Sequence, residues 1–230
     1  MEGVDHLDLA RAESERGELV LRERTPDDTG PTVLELRVNG VFVMDTVEVG
    51  SERALAAAAL ALVDEPRAVL VAGLGLGFTL REVLDDIRVE SCAVVEIEPA
   101  LVGWMRDGTI AHGPALLADA RVRVVVADVA TVVAEARSAS VDLLLLDVDN
   151  GPGYLVHDAN AGLYGADFLA EAARVLRPGG AVAIWSAAEA PELAADLAAV
   201  FPTVRSVPLD VVLQGRDETY WLYVGRADDA

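Results

Sequence analysis

Apolar and polar positions change period partway along this chain. From Glu18 to Arg24, and again from Val33 to Asp45, apolar and charged residues alternate with a period of two, the signature of strands with one buried face. Asn39-Gly40 interrupts the second stretch and predicts a tight hairpin turn. Thr25 to Pro31, rich in Pro, Asp and Gly, reads as the loop between the first two strands. Residues 1–50 are therefore expected to form a small antiparallel β-hairpin unit. Ser51 is expected to cap an alanine-rich helix, Glu52 to Leu62, that leads into a second unit, 51–230.

Beyond residue 68 the period of two gives way to unbroken apolar runs of strand length separated by helical patterns. Strands are predicted at 68–72, 92–97, 122–126, 141–146 and 181–186. Helices are predicted at 78–86, 99–106, 129–137, 166–176 and 191–199, the fourth ending at Arg177-Pro178-Gly179-Gly180. Alternation of this kind predicts an α/β, doubly wound, mostly parallel sheet. Two final strands, near 203–208 and 219–225, have no helix between them, so one of the seven must run antiparallel.

The chemistry concentrates where the first of these strands ends. Ala68-Val-Leu-Val-Ala runs into Gly73, Gly75 and Gly77, so the backbone can turn sharply and approach a ligand closely, with a helix amino terminus just beyond. Glu96 ends the next apolar run, where an acid can accept hydrogen bonds from both hydroxyls of a ribose. The order strand, glycine turn, helix, strand, acid describes a nucleotide pocket. Phe78 and Leu80 stand where a dinucleotide fold would want a third small residue, and no Walker-type Gly-x-x-x-x-Gly-Lys-Ser/Thr loop occurs. Ser186 lacks the Gly-x-Ser-x-Gly elbow of a hydrolase.

Composition narrows the partners. The 230 residues are 53% apolar, enough for a substantial core, and the formal net charge of −21 disfavours nucleic acid and favours cations. One cysteine, Cys92, excludes an internal disulfide and a multi-cysteine metal site, and His6 and His112 have no partner at metal-ligand spacing. The absence of a bilayer-length apolar stretch gives the expectation of a cytoplasmic protein without a membrane partner. The alternating face of the β unit gives that of a homodimer or higher homo-oligomer.

The Gly-x-Gly-x-Gly turn resembles the first motif of class I S-adenosylmethionine-dependent transferases, and the antiparallel ending is a mark of the methyltransferase-type sheet. More closely, the chain resembles the spermidine synthase (polyamine aminopropyltransferase) family. The likeness rests on Gly73, Gly75 and Gly77, on Val-Glu-Ile-Glu around Glu96 and Ile97, on Asp128 and Val129, and on Asp147 and Asp149. Pro152, Leu163-Tyr164 and Asp167-Phe168-Leu169 continue it. The resemblance implies that decarboxylated S-adenosylmethionine, or S-adenosylmethionine, is the co-substrate, that a small cationic amine is the acceptor, and that no metal takes part. Glu96 would hold the ribose, Asp128 with the Val129 amide would meet the adenine, and Asp147 would face the reacting amine as the catalytic acid-base group. Asp149 sits one residue closer than the second acid of the family's Asp-x-x-Asp-Pro signature.

The family's Tyr-His-Glu triplet should fall near Glu48 to Arg53, where this chain reads Glu-Val-Gly-Ser-Glu-Arg. Its glutamine near the end of the β unit has no counterpart around Met44 and Asp45. Tyr154 and Tyr164, flanking the loop after the acids, are candidates to replace the tyrosine and bind substrate, and His157 with Asp158 is a further acid-base candidate. An acceptor amine has a free pKa of roughly 10 and must lose a proton before it attacks, which is the work a carboxylate at Asp147 can do. The expected function is transfer of an aminopropyl group to an amine. A small-molecule methyltransferase and a non-catalytic protein retaining the fold are the alternatives.

Overall fold

The computed structural model describes residues 5–25 and 31–229. Residues 26–30 of the expected Thr25–Pro31 loop lie outside the described residues. A four-stranded antiparallel sheet, in the order β1 (Asp5–Ser14), β2 (Gly17–Thr25), β3 (Val33–Val38) and β4 (Val41–Asp45), opens the chain. Asn39 and Gly40 take φ values of 52° and 76°, the paired left-handed conformations that a two-residue hairpin requires. β1 lies upstream of the predicted alternation. Its register against β2 shifts between Asp8 and Ala10, and such a bulge breaks the period of two by which a strand is recognised.

The main body is α1 (Gly50–Leu60), β5 (Ala68–Ala72), α2 (Phe78–Asp85), β6 (Ser91–Glu96), α3 (Pro99–Asp107), α4 (Gly113–Leu117), β7 (Val122–Val126), α5 (Val129–Glu135), β8 (Val141–Leu146), a 3-10 turn (Asp158–Tyr164), α6 (Ala166–Val175), β9 (Leu176–Ser186), α7 (Pro191–Val200), β10 (Thr203–Leu213) and β11 (Arg216–Arg226). Its seven strands lie in the order β10-β11-β9-β8-β5-β6-β7. β5 to β9 are parallel, while β11 runs antiparallel to both β9 and β10. This is the mostly parallel α/β sheet expected from the sequence. Among the described residues no helix is long and apolar enough to cross a membrane.

Three local expectations change. Ser51 is not a cap: the helix begins at Gly50 with Val49 at the N-cap position and no side-chain cap bond. The Glu48 carboxyl instead accepts from the Gly50 N–H at 2.9 Å, which frees the Ser51 hydroxyl. The Arg-Pro-Gly-Gly segment belongs to β9, because Gly179 N–H and Gly180 C=O bond the chain at Asp228 and Ala227. The last two strands run longer than predicted and meet at Gln214-Gly215, with φ values of 50° and 78°. Their far ends pass beyond β9, which pairs β11 only over Trp221–Arg226; there β10 packs Leu209, Val211 and Leu213 on the first core, while the exposed polar run Arg216 to Thr219 hid the length of β11.

One apolar core joins Leu19, Leu21, Leu36 and Met44 of the first sheet to Leu55 and Ala59 of α1 and to Val71 and Leu145 of the second sheet. A second core fills the opposite face under α5, α6 and α7. The first sheet also buries charge. Arg24 pairs with Asp45 at 2.7 Å and Glu35 at 3.2 Å, and Asp45 accepts from the Val47 and Glu48 N–H groups at 2.8 and 3.1 Å. Asp45 and Glu35 are only 2% and 3% exposed; Glu35 keeps Arg37 at 2.5 Å, but removing Arg24 leaves the Asp45 carboxylate buried without a cation. Arg24→Ala should therefore cost about 3 kcal/mol, read as a lower urea midpoint with an unchanged slope.

Candidate active site

Strand order reverses between β5 and β8, and the crevice at their carboxyl ends is where ligands bind in open α/β sheets. The chain is drawn tight there. Asp147 N–H donates to Ala72 C=O at 2.9 Å and Gly73 N–H to Val95 C=O at 2.8 Å. Gly73 has φ 91°, and a Cβ on it would lie 2.0 Å from the Asp147 carbonyl oxygen. Gly75, at φ 49°, would bring a Cβ to 2.7 Å from the Met44 sulfur, and Gly77, at φ 87°, to 2.6 Å from Leu116. All three glycines are needed for conformation and for space. Gly73 and Gly75 line a cavity of about 670 Å³, whereas Gly77 packs behind it at the start of α2.

Glu96 is 7% exposed and lines the cavity. Its two carboxyl oxygens accept from Leu74 N–H at 2.9 Å and Glu98 N–H at 2.8 Å, so the group is fixed in orientation. Each oxygen retains a lone pair for a further donor. Burial raises its pKa, and the backbone bonds oppose that rise. Ile97, Asp128 and Val129 line the same cavity. Asp128 also caps α5, accepting from Ala130 N–H at 2.7 Å, so cap and cavity wall are one residue.

Asp147 is half-buried on this wall. Thr79 Oγ1 donates to it at 2.5 Å, and burial pushes its pKa up to about 6. Asp149 lines the cavity as well, yet its carboxyl accepts from Asn150, Val156 and His157 N–H and from the Asn160 amide. Its φ of 61° fits a residue that organises the loop after β8. The two candidate tyrosines do not join them. Tyr154 is 64% exposed and outside the cavity lining. Tyr164 is 5% exposed and donates to Val148 C=O at 2.5 Å, a strut beneath the loop. His157 and Asp158 are on the lining.

Four residues not singled out from the sequence complete the site. Glu48 and Glu52, at the start of α1, and Trp185 and Tyr220, from β9 and β11, all face the cavity. Tyr220 meets Trp185 edge-on with ring centroids 4.8 Å apart. Its phenol pKa is pushed up to about 12 by burial and by the negative charge of Glu48 and Glu52, which keeps it a hydrogen-bond donor. Glu52 is 8% exposed, and burial followed by the Asp147 charge lifts its pKa to about 8. A signal for it existed, since the window 48–53 retains the acid of the triplet while lacking its tyrosine and histidine. Tyr220 had none: it lies within the predicted strand 219–225, but its approach to Glu48 and Glu52 joins segments far apart in the chain and leaves no local pattern.

At the nucleoside end, Arg16 in the β1–β2 turn donates to Glu98 at 2.5 Å and to Ile97 C=O at 3.1 Å. Arg16 is the only arginine among the lining residues and no lysine joins it, while acids line the cavity from end to end. The cavity thus offers a cradle for a nucleoside at one end and negative charge for a cation at the other. Among the described residues no cluster of His, Cys, Asp and Glu is arranged to hold a metal.

The strand order and the glycine turn define an α/β protein of the methyltransferase-type fold. The spermine/spermidine synthase domain matches residues 48–201, more than half of the chain, which belongs to that family. Polyamine aminopropyltransferase of Aeropyrum pernix is 31% identical over 159 residues, covering 63% of this chain and 48% of that protein. Putrescine N-methyltransferase 3 of Nicotiana tabacum is 32% identical over 125 residues, 54% of this chain and 31% of that protein. The chain thus spans about a third to a half of the length of these curated relatives. A spermidine synthase solved with the transition-state analogue AdoDATO superposes with a TM-score of 0.82 at 19% identity, over 97% of this chain and 74% of that one. Human methyltransferase-like protein 13 with SAH gives 0.60 at 23% identity, over 77% and 82%. These two likenesses concern the fold.

Two outcomes follow from the geometry. Gly73→Ala should lower stability by roughly 2–3 kcal/mol through backbone strain and collision with Asp147, measured by chemical denaturation. Glu52 binds its proton more tightly folded than unfolded, so its contribution to stability is complete below about pH 4.5 and is lost as pH rises to about 8. Glu52→Gln has no such loss. Its melting temperature relative to wild type should therefore rise between pH 5 and pH 8.5, as differential scanning calorimetry can show.

Proposed function

We propose that this chain is a transferase that moves the aminopropyl group of decarboxylated S-adenosylmethionine to a small amine. The observation that carries the reading is Asp147, held at the carboxyl end of β8 against the glycine cradle, in a cavity lined by acids. In this reading the ribose hydroxyls donate to Glu96, and the adenine lies between Ile97, Asp128 and Val129. Asp147 orients the acceptor nitrogen and takes its proton, after which the free lone pair attacks the carbon beside the sulfonium. The carbon–sulfur bond breaks and sulfur keeps the electron pair, leaving a neutral thioether. Asp149 bounds this end of the cavity and holds the loop that closes it. Residues up to about 50 form the roof and 51–230 the nucleotide-binding floor.

A methyl transfer to an amine is the second reading. The putrescine N-methyltransferases among the relatives support it. Both readings use the same nucleoside cradle and the same deprotonated amine, and they differ in which carbon of the donor faces Asp147.

The protein should be melted with methylthioadenosine, S-adenosylhomocysteine and NAD, where an adenosyl ligand at 100 times its Kd adds about 2.7 kcal/mol of stability and NAD adds none. It should then be offered decarboxylated S-adenosylmethionine, or S-adenosylmethionine, with putrescine, spermidine and other amines. Methylthioadenosine release supports aminopropyl transfer, and S-adenosylhomocysteine release supports methylation. Asp147→Asn should keep nucleoside affinity and lose about 10² or more in turnover. Wild-type turnover should fall as pH drops through about 6, where Asp147 takes up its proton. Neither product from any amine, with donor binding demonstrated, would turn the reading to a non-catalytic protein.

A further inference from the structure

One oxygen of the Asp147 carboxyl is already engaged in the ligand-free protein. Thr79, the second residue of α2, is 3% exposed, and its Oγ1 lies 2.5 Å from Asp147 Oδ2. A hydroxyl carries a single proton and an ionised carboxyl can only accept one, so Thr79 donates. Its other neighbour, the Glu52 carbonyl oxygen, is 3.4 Å away, longer than an ordinary O–H···O bond. Among the described residues nothing else donates to this carboxyl, which leaves Oδ1 to a ligand in the cavity that Asp147 lines.

The helix makes no use of the Thr79 hydroxyl. α2 starts from Gly77 with no side-chain cap bond, and Oγ1 does not turn back onto the preceding turn of its own helix, where a helical threonine can bond a carbonyl. Branching at Cβ limits the rotamers of Thr79, so its hydroxyl is held toward Asp147. The Asp147 N–H is tied to Ala72 C=O at 2.9 Å, but a backbone bond leaves the side-chain torsions free. Thr79 is the contact that fixes them.

We propose that Thr79 is a positioning residue of the transfer: by holding Asp147 Oδ2 it presents Oδ1 to the acceptor nitrogen. The proposal rests on the amine-transfer reading above. An N–H bond of the ammonium breaks, the proton goes to Oδ1, and the electron pair stays on nitrogen for the attack. Thr79 exchanges no proton in this step, and its bond to Oδ2 persists because the incoming proton occupies the other oxygen.

The same bond acts on charge. A hydrogen bond to the ionised form favours that form, and here it opposes the rise that burial imposes on Asp147. The other titratable groups around Asp147 are acids and phenols: Glu48 and Glu52 at α1, Glu96 at the end of β6, Asp149 in the loop after β8, Tyr164 of the 3-10 turn and Tyr220 of β11. Glu52 and Tyr164 hold their protons more tightly because of the Asp147 charge, after burial. Tyr164 gives its hydroxyl proton to Val148 C=O, and the Asp149 carboxyl is occupied by the N–H groups of its own loop.

Thr79→Val removes the hydroxyl and keeps the branched shape, while Thr79→Ser keeps the hydroxyl. Both are assayed across pH with the S-adenosyl compound and amine that give product. Thr79→Val should move the acid limb of kcat up by about one to two pH units and lower kcat at its optimum about tenfold, with the nucleoside Kd unchanged. Thr79→Ser should return the acid limb to its wild-type place. A wild-type pH profile and kcat in Thr79→Val, or a loss that Thr79→Ser shares in full, would overturn the proposal. A second measurement needs no turnover: the carbon-13 carboxyl signal of Asp147 is followed against pH in the ligand-free protein. Its midpoint should lie at about 6 in wild type, stay there in Thr79→Ser and rise in Thr79→Val. The wild-type Thr79 methyl signal should inflect at that same midpoint, and Asp147→Asn should abolish the inflection, an observation that does not depend on Thr79→Val folding. If no amine gives product, the transfer reading fails on its own. The two signals then decide whether Thr79 holds Asp147: a midpoint unmoved by Thr79→Val, or a Thr79 methyl that ignores the Asp147 titration, overturns it.

Discussion

Everything at the cleft depends on the close contact between the ends of β5 and β8. The Asp147 amide is tied to Ala72 C=O, and the Asp147 carbonyl passes within 2.0 Å of where a Cβ at residue 73 would sit. Only glycine permits that approach, and it does so at positive φ, where a side chain would be strained in any case. The same contact therefore sets two things at once. It bends the backbone into the nucleoside cradle, and it holds the Asp147 carboxyl at a fixed place beside that cradle. In the transfer proposed for this site, such positioning is what aligns the reactants.

The first sheet is part of the same construction. Met44 fills the space left by Gly75, and its sulfur accepts from Leu76 N–H at 3.2 Å. Arg16 reaches the other end of the cavity and fixes Glu98, whose own N–H orients Glu96. The roof thus touches the glycine turn at one end and, through Glu98, Glu96 at the other. Asp45 links roof to α1, because the carboxyl that pairs with Arg24 also binds the N–H groups of Val47 and Glu48. A change in the first sheet is felt at Glu48 and Glu52 through this connection.

The sequence made the repeating architecture visible and left the closing elements obscure. Central parallel strands buried on both faces are continuous apolar runs, so Ala68–Ala72 and Val141–Leu146 fall where they were expected. The glycine turn, Glu96 and Asp147 follow from their places at strand ends. What stayed hidden depends on contacts between distant segments. β1 is disguised by its bulge, and the part of the β10–β11 hairpin beyond β9 is disguised by the exposed polar run Arg216 to Thr219, although β10 lays Leu209, Val211 and Leu213 on the core. Tyr220 enters the cavity only because that projection carries it over α1. Tyr154 and Tyr164 show the converse: nearness in sequence to the acids did not bring either phenol to the cavity. Ser51 has the composition of a cap, but Glu48 had already satisfied the amide that a cap would serve.

Burying Glu52 beside Asp147 is unfavourable in the ligand-free protein, because each charge raises the cost of the other in a site with little water. The cavity reduces that cost by keeping a proton on Glu52, whose pKa rises to about 8 while that of Asp147 rises only to about 6. An incoming cation changes the balance, since its charge favours ionised carboxyls and lowers the proton affinity of both. In the proposed transfer, cation binding and the protonation of both carboxyls are thereby coupled. A tyrosine and histidine in the 48–53 window would engage an amine with less charge. This chain has two glutamates and a serine there, and Glu52 is the one that burial and the Asp147 charge hold toward its protonated form.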